Sequence, residues 1–286
     1  MKLLNGKELA EKIKNEVKIE VEKMSAKGQD VRLAVIQVGD DPASSTYVRN
    51  KENASREVGI KASTFRYGDS VNVSEKELIA LIKSLNKDKS INGILVQLPL
   101  PSHINEHKII QTIAPEKDVD GFHEINAGKL LIGEDTFVPC TAKGIIELLV
   151  ENNIKIEGQN CVVVGRSNIV GKPTAIELLN HNGTVTICHS KTKGLKQICR
   201  EADILVCAIG KPKFFNREYI SPNTVVIDVG IHRQENGKLC GDVDFEDVKD
   251  IVSAITPVPR GVGAMTVSML MKNCVQAAKA QLKWEF

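Results

Sequence analysis

Apolar residues along this chain recur at two alternating spacings, which predicts an α/β fold. Near the N-terminus they occupy every fourth position of a charged segment: Leu9, Ile13, Val17 and Val21. This spacing predicts one apolar helix face, with Asn5 and Glu8 as a capping pair at its start. The segment 31–38 that follows is almost continuously apolar, which predicts a buried strand.

The alternation continues to residue 98 and predicts a β-α-β-α-β unit. Further strands are expected at 62–67 and 91–98. One helix is expected at 44–58, and a second begins at Ser74, where Glu77 completes a capping box. Strands that alternate with helices in this way pair in parallel through right-handed crossovers.

A second alternating segment follows a predicted helix at 141–153. Its strands are expected at 160–164, 184–189, 204–209 and 224–229, with a weaker one at 253–256. The last helix is expected at 265–282, and it is long enough to pack back on the first unit. The pattern therefore predicts two α/β units.

Composition excludes several classes of protein. The 286 residues are 42% hydrophobic and 26% charged, with a net charge of +2, which argues against a nucleic-acid-binding protein. The longest apolar runs are too short to cross a membrane, so no membrane association is expected. The seven cysteines contain no Cys-x-x-Cys pair, which favours reduced thiols in a cytoplasmic protein over a disulfide framework or a zinc site.

A glycine-containing turn opens the second unit. The strand that ends at Val164 runs into Gly165 and then into a predicted helix, an arrangement that points backbone N–H groups at an anion. The turn is neither a P-loop nor a Gly-x-Gly-x-x-Gly motif, because Gly171 follows too late and Lys172 precedes a proline. On this turn alone, a dinucleotide site and an ordinary strand–helix turn both remain open.

The end of the next strand favours NADP over NAD. NAD-binding folds place an acidic residue there for the ribose hydroxyls. This chain instead has Ser190 and Lys191, and Arg166 lies in the preceding turn. These side chains suit a 2′-phosphate, although a solvated basic loop would have the same composition.

Polar side chains in the first unit converge at one sheet edge. Tyr47 and Lys51 are one helical turn apart, after the first strand, and Gln97 ends another apolar strand. Asp118 and Asp120 lie in the loop just beyond. Because ligands bind at the carboxyl ends of parallel strands, this combination predicts a site for a polar heterocycle.

The motifs together resemble those of a known enzyme family. In chain order they are Tyr47-Val-Arg-Asn-Lys51, Val96-Gln-Leu-Pro-Leu-Pro101, Pro115-Glu-Lys-Asp-Val-Asp-Gly121, Val163-Val-Gly-Arg-Ser-Asn-Ile-Val-Gly-Lys-Pro173, Cys188-His-Ser-Lys-Thr192, and Thr256-Pro-Val-Pro259 with Gly261-Val-Gly263 and Met265-Thr266. The series resembles the bifunctional methylenetetrahydrofolate dehydrogenase/methenyltetrahydrofolate cyclohydrolase family and spans nearly the whole chain.

The resemblance implies a fold and an activity. Residues 1–139, completed by the C-terminal helix 267–286, would form an α/β catalytic domain that binds folate. Residues 140–266 would form a Rossmann-like NAD(P)-binding domain with a mostly parallel sheet, and a folate cleft would lie between the domains. The enzyme would be a cytoplasmic homodimer that uses NADP in one-carbon metabolism and purine biosynthesis.

The resemblance also implies roles for individual residues. The catalytic and folate-site residues would be Tyr47, Lys51, Gln97 and Asp120, with Lys51 handling protons. The cofactor contacts would be Gly165, Arg166, Ser167, Ser190 and Ile231. Further substrate contacts would be Pro259 and Gly261, and no metal is required because the methenyl cation is already electrophilic.

The chain departs from the family at Arg260, where glycine is usual. An arginine does not adopt a positive φ cheaply, so either φ is negative there or the loop is remodelled. The side chain either contacts an anion, such as the glutamate tail of the substrate or a cofactor phosphate, or points to solvent.

Alternative functions remain at this stage. They are a monofunctional dehydrogenase, another two-domain NADP dehydrogenase of the shikimate type, and a non-enzymatic NADP-binding sensor. The motifs around Gln97 and Asp120 argue against the shikimate type, and a sensor would not need Lys51 and Gln97 at the sheet edge.

Overall fold

Helices and strands alternate along the chain in the computed structural model, which describes residues 1–68 and 73–282. The helices are α1 (Gly6–Ala26), α2 (Pro42–Val58), α3 (Glu75–Lys87), α4 (Glu106–Ile110), α5 (Glu124–Leu131), α6 (Cys140–Glu151), α7 (Gly171–Asn180), α8 (Leu195–Arg200), α9 (Phe245–Val248) and α10 (Val262–Leu282). The strands are β1 (Lys2–Leu3), β2 (Arg32–Val38), β3 (Lys61–Tyr67), β4 (Gly93–Val96), β5 (Asn160–Val164), β6 (Thr184–Cys188), β7 (Ile204–Cys207), β8 (Val225–Asp228), β9 (His232–Arg233), β10 (Leu239–Cys240) and β11 (Ala254–Ile255). Within these described residues, no helix combines the length and the apolar composition that a membrane span requires.

The chain divides into two compact units, as the α/β pattern predicts. The six-stranded unit comprises Met1–Glu11, Leu130–Glu134 and Val138–Thr266. The three-stranded unit comprises Lys12–Lys129, Asp135–Phe137 and Val267–Phe286. In this division, residues 1–11, 130–134 and 138–139 group with the six-stranded unit, whereas the sequence predicts them in the catalytic domain. Strand β1 pairs in parallel with β11 and so joins residues 1–11 to the six-stranded sheet.

The three-stranded unit has the predicted β-α-β-α-β topology. Its strand order is β3-β2-β4, and both neighbours pair with β2 in parallel. The central strand β2 is buried along almost its whole length, which explains why its sequence is continuously apolar. The predicted capping box is present at the start of α3, where the Ser74 hydroxyl accepts from the Glu77 backbone N–H at 3.2 Å.

The six-stranded unit contains a parallel sheet with the order β1-β11-β8-β7-β5-β6. After β5 the chain adds β6 on one side of β5, and then adds β7 on the other side. This reversal creates a topological switch point between β5 and β7. In open α/β sheets the ligand crevice lies at the carboxyl ends of the strands that flank such a point.

All seven cysteines lie in the described residues, and their thiols are buried and form no disulfide bond. Three of them, Cys188, Cys199 and Cys207, belong to the apolar core of the six-stranded unit. Burial raises the pKa of the Cys161 thiol to about 11 and that of Cys199 to about 12. These thiols are therefore protonated at neutral pH and act as small apolar side chains.

Candidate active site

Tyr47 and Lys51 lie on the same face of α2. The Asp41 carboxylate caps this helix by accepting from the Ser44 backbone N–H at 2.7 Å, and Gly59 ends it with a φ of +83°. Tyr47 remains 42% exposed, whereas Lys51 is only 9% exposed. The helix therefore presents an accessible aromatic ring one turn away from a buried amine.

A hydrogen bond joins Lys51 to Gln97, as the prediction of a shared edge requires. Gln97 directly follows β4, and its backbone N–H continues the ladder by donating to the Ile36 carbonyl. Its side-chain Nε2 donates to the Leu98 carbonyl at 2.7 Å, which leaves Oε1 to accept from Lys51 Nζ at 3.0 Å. The amide is thus held in the one orientation that offers its oxygen to the lysine.

Asp120 lies within electrostatic range of the same lysine. Burial raises the pKa of the Asp120 carboxyl to about 6, although the positive charge of Lys51 lowers it. The nearby Asp118 has a different function, because its carboxylate accepts from the His123 backbone N–H at 2.8 Å and from Asn126 Nδ2 at 2.9 Å. Asp118 therefore shapes the loop, and Asp120 is the carboxyl group that faces Lys51.

Residues that the sequence analysis missed hold the Asp120 loop in place. The buried Lys117 amine donates to the Leu85 and Asp88 carbonyls at the end of α3. On α10, the buried Asn273 side chain donates to the Val119 carbonyl at 2.9 Å. Neither contact has a local sequence signal, because each partner is distant in the chain.

Cys274 is a further residue near this site that the sequence analysis did not select. Its thiol is fully buried, and burial raises its pKa well above the ordinary range. The charge of Asp120 raises that pKa further, whereas the charge of Lys51 lowers it. The thiol is therefore protonated at neutral pH and carries no charge into the site.

In the six-stranded unit, the glycine turn after β5 has the close packing of a dinucleotide cradle. Gly165 has a φ of +147°, and a Cβ there would lie 2.3 Å from the Ala208 carbonyl oxygen. A Cβ on Gly171 would lie 2.3 Å from the Gly165 carbonyl oxygen. Both positions thus require glycine, and the turn leads directly into the N-terminus of α7, where an anion is favoured.

The other predicted cofactor contacts surround the same strand ends. Arg166 and Ser190 are exposed in the turns after β5 and β6, and neither turn contains an acidic side chain. The Ser167 hydroxyl accepts from the Val170 and Gly171 backbone N–H groups at 3.2 and 3.3 Å, and so stabilises the turn itself. The residues present therefore fit an anionic dinucleotide that carries a 2′-phosphate.

Pro259 and Gly261 belong to the six-stranded unit, in the loop between β11 and α10. Arg260 between them is exposed and has a φ of +80°. Of the two alternatives stated for this arginine, a negative φ is therefore excluded. The first helix anchors the loop at residues 260 and 261, because the Lys7 backbone N–H donates to the Arg260 carbonyl and a Cβ on Gly6 would meet the Gly261 carbonyl oxygen.

Substituting Arg260→Gly is expected to stabilise the protein by about 0.5–1 kcal/mol. The left-handed conformation costs an ordinary L-residue about 1–2 kcal/mol, and the backbone entropy of glycine offsets about half of the gain. Urea denaturation measures the difference, with Arg233→Gly on β9 as the matched control that is expected to destabilise. If Arg260→Gly is less stable than the wild type, the arginine makes a favourable contact. If the variant also has a higher KM than the wild type for a polyglutamylated folate, that contact is with an anion.

Metal-ligating side chains do not cluster over residues 1–68 and 73–282, since no three His, Cys, Asp or Glu side chains there are grouped closely enough to hold a metal ion. The groups available for chemistry include the amine, amide and carboxyl groups of the three-stranded unit and the glycine turn of the six-stranded unit.

Comparisons with known proteins match both units. The family model of the tetrahydrofolate dehydrogenase/cyclohydrolase catalytic domain matches residues 4–120, and that of the NAD(P)-binding domain matches residues 139–282. Bifunctional protein FolD from Acetivibrio thermocellus is 57% identical over 282 residues, which are 99% of this chain and 98% of that protein.

Two solved structures have the same fold over almost their whole length. The bifunctional FolD methylenetetrahydrofolate dehydrogenase/cyclohydrolase of Campylobacter jejuni is 48% identical with a TM-score of 0.96, covering 98% of this chain and 99% of that one. The Trypanosoma brucei FolD, solved with NADP cofactor and inhibitor, is 36% identical with a TM-score of 0.93. The match covers 99% of this chain and 98% of that one.

Proposed function

Since this chain belongs to the tetrahydrofolate dehydrogenase/cyclohydrolase family, we propose that it oxidises 5,10-methylenetetrahydrofolate with NADP and hydrolyses the methenyl product to 10-formyltetrahydrofolate. The hydrogen bond between Lys51 and Gln97 is the observation that supports this function most strongly. It places a buried amine at the carboxyl end of a parallel sheet, beside the half-buried carboxyl group of Asp120. A dehydrogenase alone would need no such group, because hydride transfer moves no proton.

We propose that Tyr47, Gln97 and Asp120 bind and orient the folate. The exposed Tyr47 ring offers a face on which a pterin can stack. The Asp120 carboxylate accepts hydrogen bonds from the amino and ring N–H groups of the pterin, which a charged acceptor binds more strongly than a neutral one. Correct orientation places the one-carbon unit in reach of both reactions and reduces the entropic part of the barrier.

Lys51 handles the proton in the hydrolysis step. Water adds to the methenyl carbon, a C–O bond forms, and one water proton leaves to solvent. The Lys51 ammonium can then donate a proton to the ring nitrogen as the ring C–N bond breaks, and recover one from the new hydroxyl as that oxygen becomes the formyl carbonyl. Gln97 holds the amine at a fixed position through its oriented oxygen.

NADP, when bound, supplies the acceptor for the hydride that leaves the methylene carbon. The residues that would hold it are Gly165 and Ser167 in the turn after β5, with Arg166 and Ser190 at the 2′-phosphate. Ile231 would border the cofactor, and Pro259 and Gly261 would contact the substrate. The requirement for glycine at 165 and 171 supports this assignment.

The binding of folate is expected to depend on pH through Asp120. Its pKa is about 6, so the carboxylate that accepts pterin N–H groups forms only as the pH rises through that value. The affinity for a non-reactive folate analogue should therefore rise from pH 5 to 7, by at most about tenfold per pH unit. Isothermal titration calorimetry of Asp120→Asn should show a weak affinity for the analogue that does not change between pH 5 and 7. Asp30→Asn should keep the pH dependence of the wild type. An unaltered rise in Asp120→Asn would exclude this role.

We also propose that the protein is a homodimer. Strand β6 is the edge of the six-stranded sheet, with Thr184 and Thr186 exposed. Ile187 on β6 and Leu179 on α7 are large apolar side chains that are 42% and 53% exposed. An exposed strand edge flanked by apolar side chains is typical of a surface that a second copy covers. Native mass spectrometry should give twice the 31.3 kDa mass of the chain.

A cytoplasmic location is part of the same proposal. The seven buried cysteines form no disulfide bond, which supports this location because thiols stay reduced in the cytoplasm. The 10-formyl product would supply formyl-transfer reactions of one-carbon metabolism, including purine biosynthesis.

Separate assays of the two half-reactions test the proposal against its alternatives. The purified protein should reduce NADP in the presence of 5,10-methylenetetrahydrofolate, and without any cofactor it should hydrolyse 5,10-methenyltetrahydrofolate. Oxidation without hydrolysis would indicate a monofunctional dehydrogenase. Activity with shikimate in place of folate, or NADP binding without turnover, would contradict the proposed function.

A further inference from the structure

A buried carboxylate outside the residues assigned above fastens the turn that follows β7. Asp242 is fully buried, and its carboxylate accepts from three successive backbone N–H groups, those of residues 209–211, at 2.6, 3.0 and 2.9 Å. His232 Nε2 lies 2.8 Å from Asp242 Oδ1 and donates to it, because a carboxylate only accepts. Among these four donors to Asp242, His232 contributes a side chain and the other three are backbone N–H groups.

A second buried carboxylate extends this network to β8. Asp228 accepts from the backbone N–H groups of Gly230, Asp242 and Val243 at 2.9 to 3.0 Å. Gly230 and His232 are the two neighbours of Ile231 in the chain. The backbone on both sides of Ile231 is therefore tied to a buried carboxylate, on one side through the Gly230 N–H and on the other through the His232 ring.

The fastened turn lies at the switch point of the sheet. Residues 209–211 follow the carboxyl end of β7, which flanks the crevice opposite β5. The turn also adjoins the glycine cradle, because a Cβ on Gly165 would lie 2.3 Å from the carbonyl oxygen of Ala208. On the β7 side of the crevice, Asp242 thus holds the 209–211 turn. On the β5 side, Gly165 packs directly against Ala208, the residue that precedes this turn.

The Ile231 side chain itself packs against Gly263. It is 41% exposed, and a Cβ on Gly263 would lie 2.6 Å from its Cδ1 atom. Gly263 thus provides the space that this side chain occupies. A shift of the 230–232 backbone would therefore move an exposed apolar surface at the same end of the sheet.

We propose that His232 is a positioning residue for the cofactor, acting through Asp242 on the 209–211 turn and through the backbone on Ile231. The inference rests on the proposed function, since it assigns the crevice between β5 and β7 to NADP. Removing the His232 donor leaves Asp242 with backbone partners alone and removes one of the contacts that hold the chain beside Ile231. The cofactor then has to order these segments when it binds, which weakens its affinity.

Three variants on one strand separate positioning from general stability. His232→Leu removes the donor and keeps an apolar side chain. His232→Gln restores a donor, because glutamine Nε2 lies as many bonds from Cα as histidine Nε2 does. Arg233→Leu is the matched control, since Arg233 is the exposed neighbour on β9 and its guanidinium donates to the Gly237 carbonyl rather than to Asp242.

Fluorescence titration with NADPH, together with hydrolysis of methenyltetrahydrofolate without cofactor, gives the two readouts. We expect His232→Leu to raise the Kd for NADPH about tenfold, the effect of losing one hydrogen bond to a charged group, with the cofactor-free hydrolysis rate unchanged. His232→Gln should stay within about threefold of the wild-type Kd, and Arg233→Leu should match the wild type.

The outcomes distinguish this inference from the proposed function. A Kd for His232→Leu equal to that of the wild type would overturn the inference and leave the function intact. A parallel loss of cofactor-free hydrolysis, or a failure of glutamine to restore binding, would also overturn it, since either result indicates a structural role alone. Wild-type protein that binds no NADPH would overturn both.

Discussion

Lys51→Met is expected to slow hydrolysis of 5,10-methenyltetrahydrofolate by about 10²–10⁴-fold, the usual contribution of a positioned acid or base. Methionine keeps most of the apolar stem of lysine but removes the amine that donates to Gln97 at 3.0 Å. Oxidation of the methylene substrate should be less affected, because hydride transfer requires no proton at this position. The methenyl compound should then accumulate during turnover, and its absorbance reports the effect directly.

Lys61→Met is the matched control for this prediction. Lys61 lies in the same unit, on strand β3, where its exposed amine pairs with Asp30 at 2.6 Å. The chemical change is identical, but the site is on the surface, so both activities should stay at wild-type levels. Equal rates of hydrolysis in Lys51→Met and the wild type would show that another group moves the proton.

Arg166→Ala is expected to lower kcat/KM for NADP by about ten- to a hundredfold while changing kcat/KM for NAD little. A charge-assisted hydrogen bond to a phosphate contributes about 1.5–3 kcal/mol, and only NADP carries the 2′-phosphate. The exposed position of Arg166, in the turn after β5, leaves the guanidinium accessible to the cofactor. Steady-state kinetics with both cofactors measure the discrimination.

Arg200→Ala provides the comparison, because Arg200 is an exposed arginine of the same unit that ends α8. The Arg200→Ala variant should leave the preference between the two cofactors unchanged. Higher salt should reduce the effect of Arg166→Ala on kcat/KM for NADP, because salt screens the charge of Arg166. A wild-type preference for NAD, or a preference for NADP that survives in Arg166→Ala, would mean that Arg166 does not recognise the phosphate.

The residues around Lys51 could be predicted because local rules bring them together. Apolar periodicity indicates the helix that carries Lys51 and the strand that ends at Gln97. The topology of a parallel sheet then places the carboxyl ends of its strands at one edge. The two rules place Lys51 and Gln97 at one edge of the sheet, and the observed hydrogen bond between them agrees with that placement.

Other parts of the molecule depend on contacts that no local pattern reports. The strand β1 has only two residues, both exposed, and exists because its backbone pairs with β11 from the far end of the chain. Asn273 binds the loop of Asp120 across a similar separation in sequence. Asp242 and His232 lie in short segments with little periodicity, so only the folded chain shows that they share a hydrogen bond.

Arg260 illustrates a different limit of prediction. Intrinsic preference favours a negative φ for arginine, and the structure has +80°. The Lys7 N–H binds the carbonyl of Arg260, and Gly6 packs against the carbonyl of Gly261. These contacts determine the path of the loop, so tertiary structure overrides the preference of one residue.

The most direct measurement follows both reactions in one sample with a labelled substrate. The purified protein would receive NADP and 5,10-methylenetetrahydrofolate with both hydrogens of the methylene carbon replaced by deuterium. If this chain transfers a hydride and then hydrolyses the product, mass spectrometry will find one deuterium in NADPH and the other on the formyl carbon of 10-formyltetrahydrofolate. NADPH without deuterium, or a methenyl product that the wild-type protein does not hydrolyse, would contradict the account.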